Sequence, residues 1–286
     1  WGTGRIHLEN LTLRSTQDHV YLRFYGELHA KNVRFEGGGA GVLLGVRNWS
    51  YGTPVAHAVF EGCHFEGCNI GIEVGTATNY EQVDVRHCSF ERCGTAISVL
   101  DRGRWTIERS RFIGNQRAFA ARTWRTCTAT PCPPAEALQL LFTGNHFADN
   151  AEHLSLLSQS ATFSNLDFLS WHDTIVGGGI ALRSPASGNE PARVLFRHSV
   201  LYPGGPLTSG NFGALDIAAS SVDDAVLATQ SGNRRVAPEF ALSPADGHLI
   251  ARSALRDAAT LQLPASARRD QDGDPRPLGP RADLGA

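Results

Sequence analysis

Arg47, Trp49, Tyr51, Tyr80, Glu81, Arg102, Arg122, Trp124 and Arg125 combine the two side-chain types suited to holding an acidic sugar. A guanidinium donates directed hydrogen bonds to a carboxylate, and an aromatic ring covers an apolar sugar face. Two reactions are within reach of such a set. Elimination takes a sugar proton with Arg or Lys as base while a cation neutralises the carboxylate. Glycoside hydrolysis needs two carboxylates at a defined separation, and Glu81 and Asp101 are the pair available. No local motif selects either reaction. The other reading of the nine residues is that they cover loops and pack against the wall of the fold.

What positions these residues is an internal repeat. FEGCHFEGC (60–68) returns as VRHCSFERC (85–93), then as IERSRFIGN (107–115) and FTGNHFADN (142–150), with weaker copies before and after. Aligned on one aromatic position, the column reads Leu13, Phe35, Phe65, Phe90, Phe112, Phe147, Phe168 and Leu201. Apolar columns also lie two, five and seven residues earlier. Pairs two apart have strand periodicity, and the odd spacing between pairs requires a bend. A third strand follows in most copies, as in Val42 and Leu44, Ile72 and Val74, Ile97 and Val99, and Phe119 and Ala121.

Three short strands per repeat of about 22 residues describe one coil of a single-stranded parallel β-helix, an all-β solenoid. No coil can bury its apolar face alone, so stacking must close the core. The expected organisation is eight coils over 1–204, then terminal coils and a C-terminal capping segment over 205–286. Gly38, Cys68, Cys93, Asn115 and Asn150 share one bend column, where stacked amides are expected to form an internal ladder. Sequence in excess of the repeat falls mainly after the third strand, at 46–54, 76–82, 122–134 and 184–192. These insertions are expected on one side of the cylinder, carrying the nine residues above to a shared face.

The 286 residues carry 26 basic and 28 acidic side chains, a formal net charge of -2. That excludes a strong basic field and argues against nucleic acid as a partner. No stretch approaches the roughly 20 apolar residues of a membrane-spanning helix. Cys127 and Cys132 flank TATP inside an insertion and are expected to form a local disulfide. Cys63 and Cys88, and Cys68 and Cys93, fall in stacked columns, where they can either bond or remain small reduced core groups. No cofactor and no zinc site is expected. Calcium at Asp270, Asp272 and Asp274 is the one metal alternative, set against a cap turn in which these acids pair with Arg276 or nearby amides.

The repeats over 1–204 resemble right-handed parallel β-helix proteins, among them secreted polysaccharide lyases and bacterial surface proteins. DQDGDPRPLGPRADLGA (270–286) is similar to the ending of the extracellular β-helix group linked to choice-of-anchor Q proteins, through Asp270, Asp272, Gly273, Pro275, Arg276, Pro277, Asp283, Gly285 and Ala286. The resemblance implies a location outside the cell or on a bacterial surface. It implies a polysaccharide or cell-surface glycan as partner, with lyase action among the possibilities. A non-catalytic adhesin, scaffold or protein-binding module is the alternative. The calcium and arginine motifs of pectate lyases and the aspartate and Gly-His-Gly pattern of polygalacturonases are missing.

Overall fold

Period-two alternation shapes each coil. In Gln82–Arg86, Ser89–Glu91 and Thr95–Leu100, the residues Val83, Val85, Phe90, Ile97 and Val99 point inward and are buried. The bends between these strands are made by His87 and Arg92, both in the left-handed region with φ of 53° and 54°. The same two positions are left-handed along the stack. Asn10, Asn32 and Gly62 occupy the first, and Gly37, Gly67 and Gly114 the second. Asn and Gly are the residues that tolerate this backbone at least cost.

The computed structural model describes residues 4–22, 26–44, 57–74, 82–100, 103–123, 138–158, 166–183, 193–204, 214–223, 228, 232–245, 248–256 and 258. Among them, strands stack into three parallel sheets. Sheet A has nine strands, from Gly4–Glu9 to Ala214–Ala218. Sheet B has nine, from Thr12–Arg14 to Ser221–Val222, and sheet C has seven, from Val20–Leu22 to Gly179–Arg183. Each strand pairs with its equivalent one coil away, so backbone bonding runs along the stack. This is a right-handed parallel β-helix, the direction parallel crossovers take.

Phenylalanines fill the centre. Phe35, Phe65, Phe90, Phe112 and Phe147 stack with neighbouring ring centroids 4.6, 4.7, 4.9 and 4.6 Å apart. The third-strand residues also stack as expected, with Val42, Ile72, Ile97 and Phe119 in one register. One column needs correction. Phe168 is buried, but it lies in sheet A, paired with Leu140 and Val194. Ile175 takes the central position between Phe147 and Leu201. The cause is a polar substitution inside the coil. Ser170 and Asp173 stand where earlier coils are mostly apolar, and the Ser170 hydroxyl donates to Asp173 Oδ2 at 2.5 Å. That pair interrupts the hydrophobic pattern and lets two phenylalanines mimic the frame.

The expected amide ladder is present. Asn115 Nδ2 donates to Asn150 Oδ1 at 2.8 Å and to Phe90 O at 3.0 Å, while Asn150 Nδ2 donates to Phe112 O at 2.8 Å. A second ladder runs at the other bend. Ser110 N–H donates to Asn145 Oδ1 at 3.0 Å, and Asn145 N–H to Asp173 Oδ1 at 2.7 Å. These bonds satisfy main-chain groups that the bends withdraw from the sheets.

The disulfide expectation is corrected. Cys63, Cys68, Cys88 and Cys93 are buried free thiols, and no disulfide is formed among the described residues. Their sulfurs lie against main-chain carbonyls, Cys63 Sγ 3.3 Å from Ala30 O and Cys93 Sγ 3.7 Å from Phe65 O. They serve as small core groups. Cys127 and Cys132 lie outside the described residues.

After the last strands the chain returns over the outside of sheet B. His146 Nε2 contacts Pro244 O at 2.5 Å, and Arg111 Nη2 donates to Ala245 O at 2.8 Å. Leu255 and Ala258 pack with Val200, beside Tyr202, Val236 and Leu249. The outer positions of sheet B are accordingly buried at His146, Thr174, Val200 and Ser221, and remain accessible at Arg34, His64 and Ser89.

Candidate functional site

The outer face of sheet C carries a groove of about 440 Å³ across Thr95–Leu100, Arg117–Thr123 and Glu152–Ser158. Its form follows from alternation. Ile97, Val99, Phe119, Ala121, Leu154 and Leu156 turn into the core, so Ser98, Ala120 and Ser155 turn outward in one register. These short side chains make a low floor. Arg117 and Glu152, also register partners, make one bank, with Arg117 Nε 2.6 Å from Glu152 Oε2. Leu100, Arg122 and Leu157 make the other.

Arg122 is the one residue of the sequence-derived set within the described structure. It was expected in the 122–134 insertion, and the structure corrects this. Arg122 lies within the strand Arg117–Thr123, half-buried, held between Leu100 and Leu157 by sheet pairing. The alternation of Phe119 and Ala121 inward explains it, because the pattern runs two residues past the last inward position. Arg47, Trp49, Tyr51, Tyr80, Glu81, Arg102, Trp124 and Arg125 lie outside the described residues, as do Asp101, Asp270, Asp272 and Asp274. In the chain, Arg102 follows the strand end at Leu100 by two residues, and Trp124 and Arg125 follow Thr123 directly.

The sequence reading missed Arg117, Glu152 and the Ser98–Ala120–Ser155 floor. The signal was available. Once Ile97, Phe119 and Leu154 are aligned as inward residues, the positions one after each form an outward row of small side chains.

Sheet A carries a second polar cluster. His57 Nε2 lies 2.9 Å from Asp84 Oδ2, and Gln82 Nε2 donates to the same oxygen at 2.9 Å. Asp84 is 2% exposed although it faces outward, because these neighbours cover it. Among the described residues no three His, Cys, Asp or Glu side chains are arranged to hold a metal ion. No described helix is long and apolar enough to cross a membrane.

A family model described as right handed beta helix region matches residues 18–190. No curated protein and no solved structure matches the chain. The match spans more than half of the 286 residues and lies within the stacked coils, and this chain belongs to the right-handed β-helix family.

Proposed function

We propose that this protein binds an acidic polysaccharide outside the cell, through the groove on sheet C and the insertions that follow its strands. The observation that carries the reading is the groove itself. Its floor of small side chains lies on a hydrogen-bonded sheet, and Arg117 and Arg122 stand on opposite banks. A rigid floor reduces the ordering cost of binding. Guanidiniums on both sides suit a chain that repeats its carboxylates. Glu152 is the only carboxylate among the described residues lining the groove, so the paired carboxylates of glycoside hydrolysis are not drawn from these residues. Eliminative cleavage is the reaction class that fits an arginine-bordered site.

Polygalacturonate and alginate, with a neutral glucan as control, test this by titration calorimetry at low and high salt. Both acidic chains should bind more tightly than the glucan, and salt should narrow the difference. Arg122→Ala should weaken acidic binding about tenfold while leaving the circular dichroism unchanged, as loss of a charge-assisted bond would. Equal affinity for acidic and neutral chains would refute the reading. Mass spectrometry of the products separates the chemistries. Unsaturated uronic ends identify a lyase, and binding without products identifies an adhesin.

A further inference from the structure

The uncovered half of sheet B holds a cluster independent of the groove. Strands His64–Glu66 and Ser89–Glu91 are neighbours in register, His64 opposite Ser89, Phe65 opposite Phe90 and Glu66 opposite Glu91. The phenylalanines point inward, so His64, Glu66 and Ser89 share the outer face. His64 Nδ1 is hydrogen-bonded to Ser89 Oγ, and His64 Nε2 lies 3.3 Å from Glu66 Oε2. One imidazole thus joins a hydroxyl to a carboxylate.

We propose that Ser89, His64 and Glu66 form a nucleophile–base–carboxylate relay that hydrolyses carboxylic esters. Glu66 is held by Arg34 Nη2 at 2.5 Å and by Arg92 Nη2. The hydrogen bond from His64 and these guanidiniums hold its carboxyl below the usual carboxylate range, so it accepts at neutral pH. An ionised Glu66 takes the Nε2–H of His64 and leaves the Nδ1 lone pair facing the Ser89 hydroxyl. That is the tautomer a general base requires. Which ring nitrogen serves which partner is immaterial to the chemistry, provided one accepts while the other donates.

Arg111 pairs in register with Ser89 on the side away from His64. It donates one bond to Ala245 O at 2.8 Å, and a guanidinium carries five N–H donors. As the register neighbour of Ser89, Arg111 is the cation assigned to the carbonyl oxygen that becomes negative when Ser89 attacks. The side chains of His64 and Glu66 are 23% and 26% exposed, which leaves them open to a substrate. The surroundings, Glu91, Arg92 and Arg111, are polar, and favour a short acyl group on a hydrophilic alcohol such as an acetylated sugar.

The step balances without a co-reactant other than water. Ser89 Oγ bonds to the ester carbonyl carbon as its proton passes to His64 Nδ1. The tetrahedral oxyanion collapses, the bond to the alkoxy oxygen breaks, and the departing alcohol takes the proton from His64. Water then attacks the acyl-Ser89, again through His64, releasing the carboxylic acid and restoring the hydroxyl.

The test uses the full chain, a fluorophosphonate probe and p-nitrophenyl acetate. The probe should modify the protein once, with peptide mapping placing the adduct on Ser89. Ser89→Ala should abolish labelling, and should lower ester turnover together with His64→Gln by about 100-fold or more. Arg111→Ala should lower turnover by about 100-fold with labelling position unchanged. Circular dichroism checks that each variant folds. Absence of an adduct, an adduct on another residue, or unchanged turnover in folded Ser89→Ala would overturn the proposal. Because parent-chain labelling involves no variant, a folding failure in any one of them does not rescue it.

Discussion

Asn145 presents its backbone N–H and its side-chain amide to the same carboxylate oxygen, Asp173 Oδ1, at 2.7 and 3.0 Å. Asp173 is 1% exposed and lies inside the coil, so water cannot replace a lost acceptor. Its other oxygen accepts from Ser170 at 2.5 Å. A carboxylate in this position links two coils through donors that have been withdrawn from solvent.

Asp173→Ala should therefore destabilise the fold by about 3 kcal/mol, because a buried N–H and a buried hydroxyl lose their acceptor at once. Asp173→Asn retains one carbonyl oxygen and should cost less than half as much. Urea unfolding followed by far-ultraviolet circular dichroism measures both. Equal losses for the two variants would mean that the ladder at this coil is not what Asp173 supports.

Stability should fall with acid because of His153. Asn150 Nδ2 donates to His153 Nδ1 at 3.1 Å, and His153 Nε2 donates to Gly177 O. The ring is neutral with both nitrogens engaged, and burial pushes its pKa down to about 4. An unfolded histidine titrates near 6.5. Between those values the unfolded chain holds the extra proton, so the contribution is complete above about pH 6.5 and is lost as pH falls toward 4. The shift corresponds to about 3 kcal/mol. His198, pushed down to about 4 by burial and then by Arg197, acts in the same direction. Unfolding midpoints from pH 7.5 to 4 should decline, and His153→Gln should flatten the slope whatever its effect on absolute stability.

The groove gives a prediction of opposite sign. Glu152 neutralises Arg117 across 2.6 Å. Glu152→Gln should release that guanidinium to a polyanion and raise polygalacturonate affinity about threefold at low salt, in the range of an exposed ion pair. Calorimetry decides it. Weaker binding by the variant would place Arg117 outside the binding surface.

The solenoid was legible because its central column is chemically uniform. Phe90 between Phe65 and Phe112 cannot be mistaken for a helical pattern. The frame failed at Phe168, where Ser170 stands in register with Phe142 and bonds internally to Asp173, a pairing that no hydrophobic alignment registers. Arg122 is expected in the insertion, but its strand continues two residues past Ala121, to Thr123. Ser98, Ala120 and Ser155 went unread as a floor because outward small residues carry no signal until the inward ones are aligned. His64 and Ser89 were hidden for a different reason. They are 25 residues apart in the chain, and only stacking of two coils makes them partners.

Gly71 marks where the core has no room left. It sits in one row with Gly41, Ala96 and Ala118 beside the phenylalanine stack. A Cβ at Gly71 would lie 2.5 Å from Ala96 O and 3.0 Å from Phe90 Cδ1. The carbonyl belongs to a paired strand, and Phe90 is fixed between two rings at 4.7 and 4.9 Å. Neither contact can yield cheaply, so Gly71→Ala should destabilise by about 2 kcal/mol, the cost of overpacking a filled core. Ala96→Gly, one coil on, should cost no more than about 1 kcal/mol, since it removes a methyl and adds only backbone freedom. Paired urea titrations compare them. If Gly71→Ala were as stable as the parent, the coils would have to separate locally by more than the stacked rings allow, and Phe90 would no longer hold their spacing.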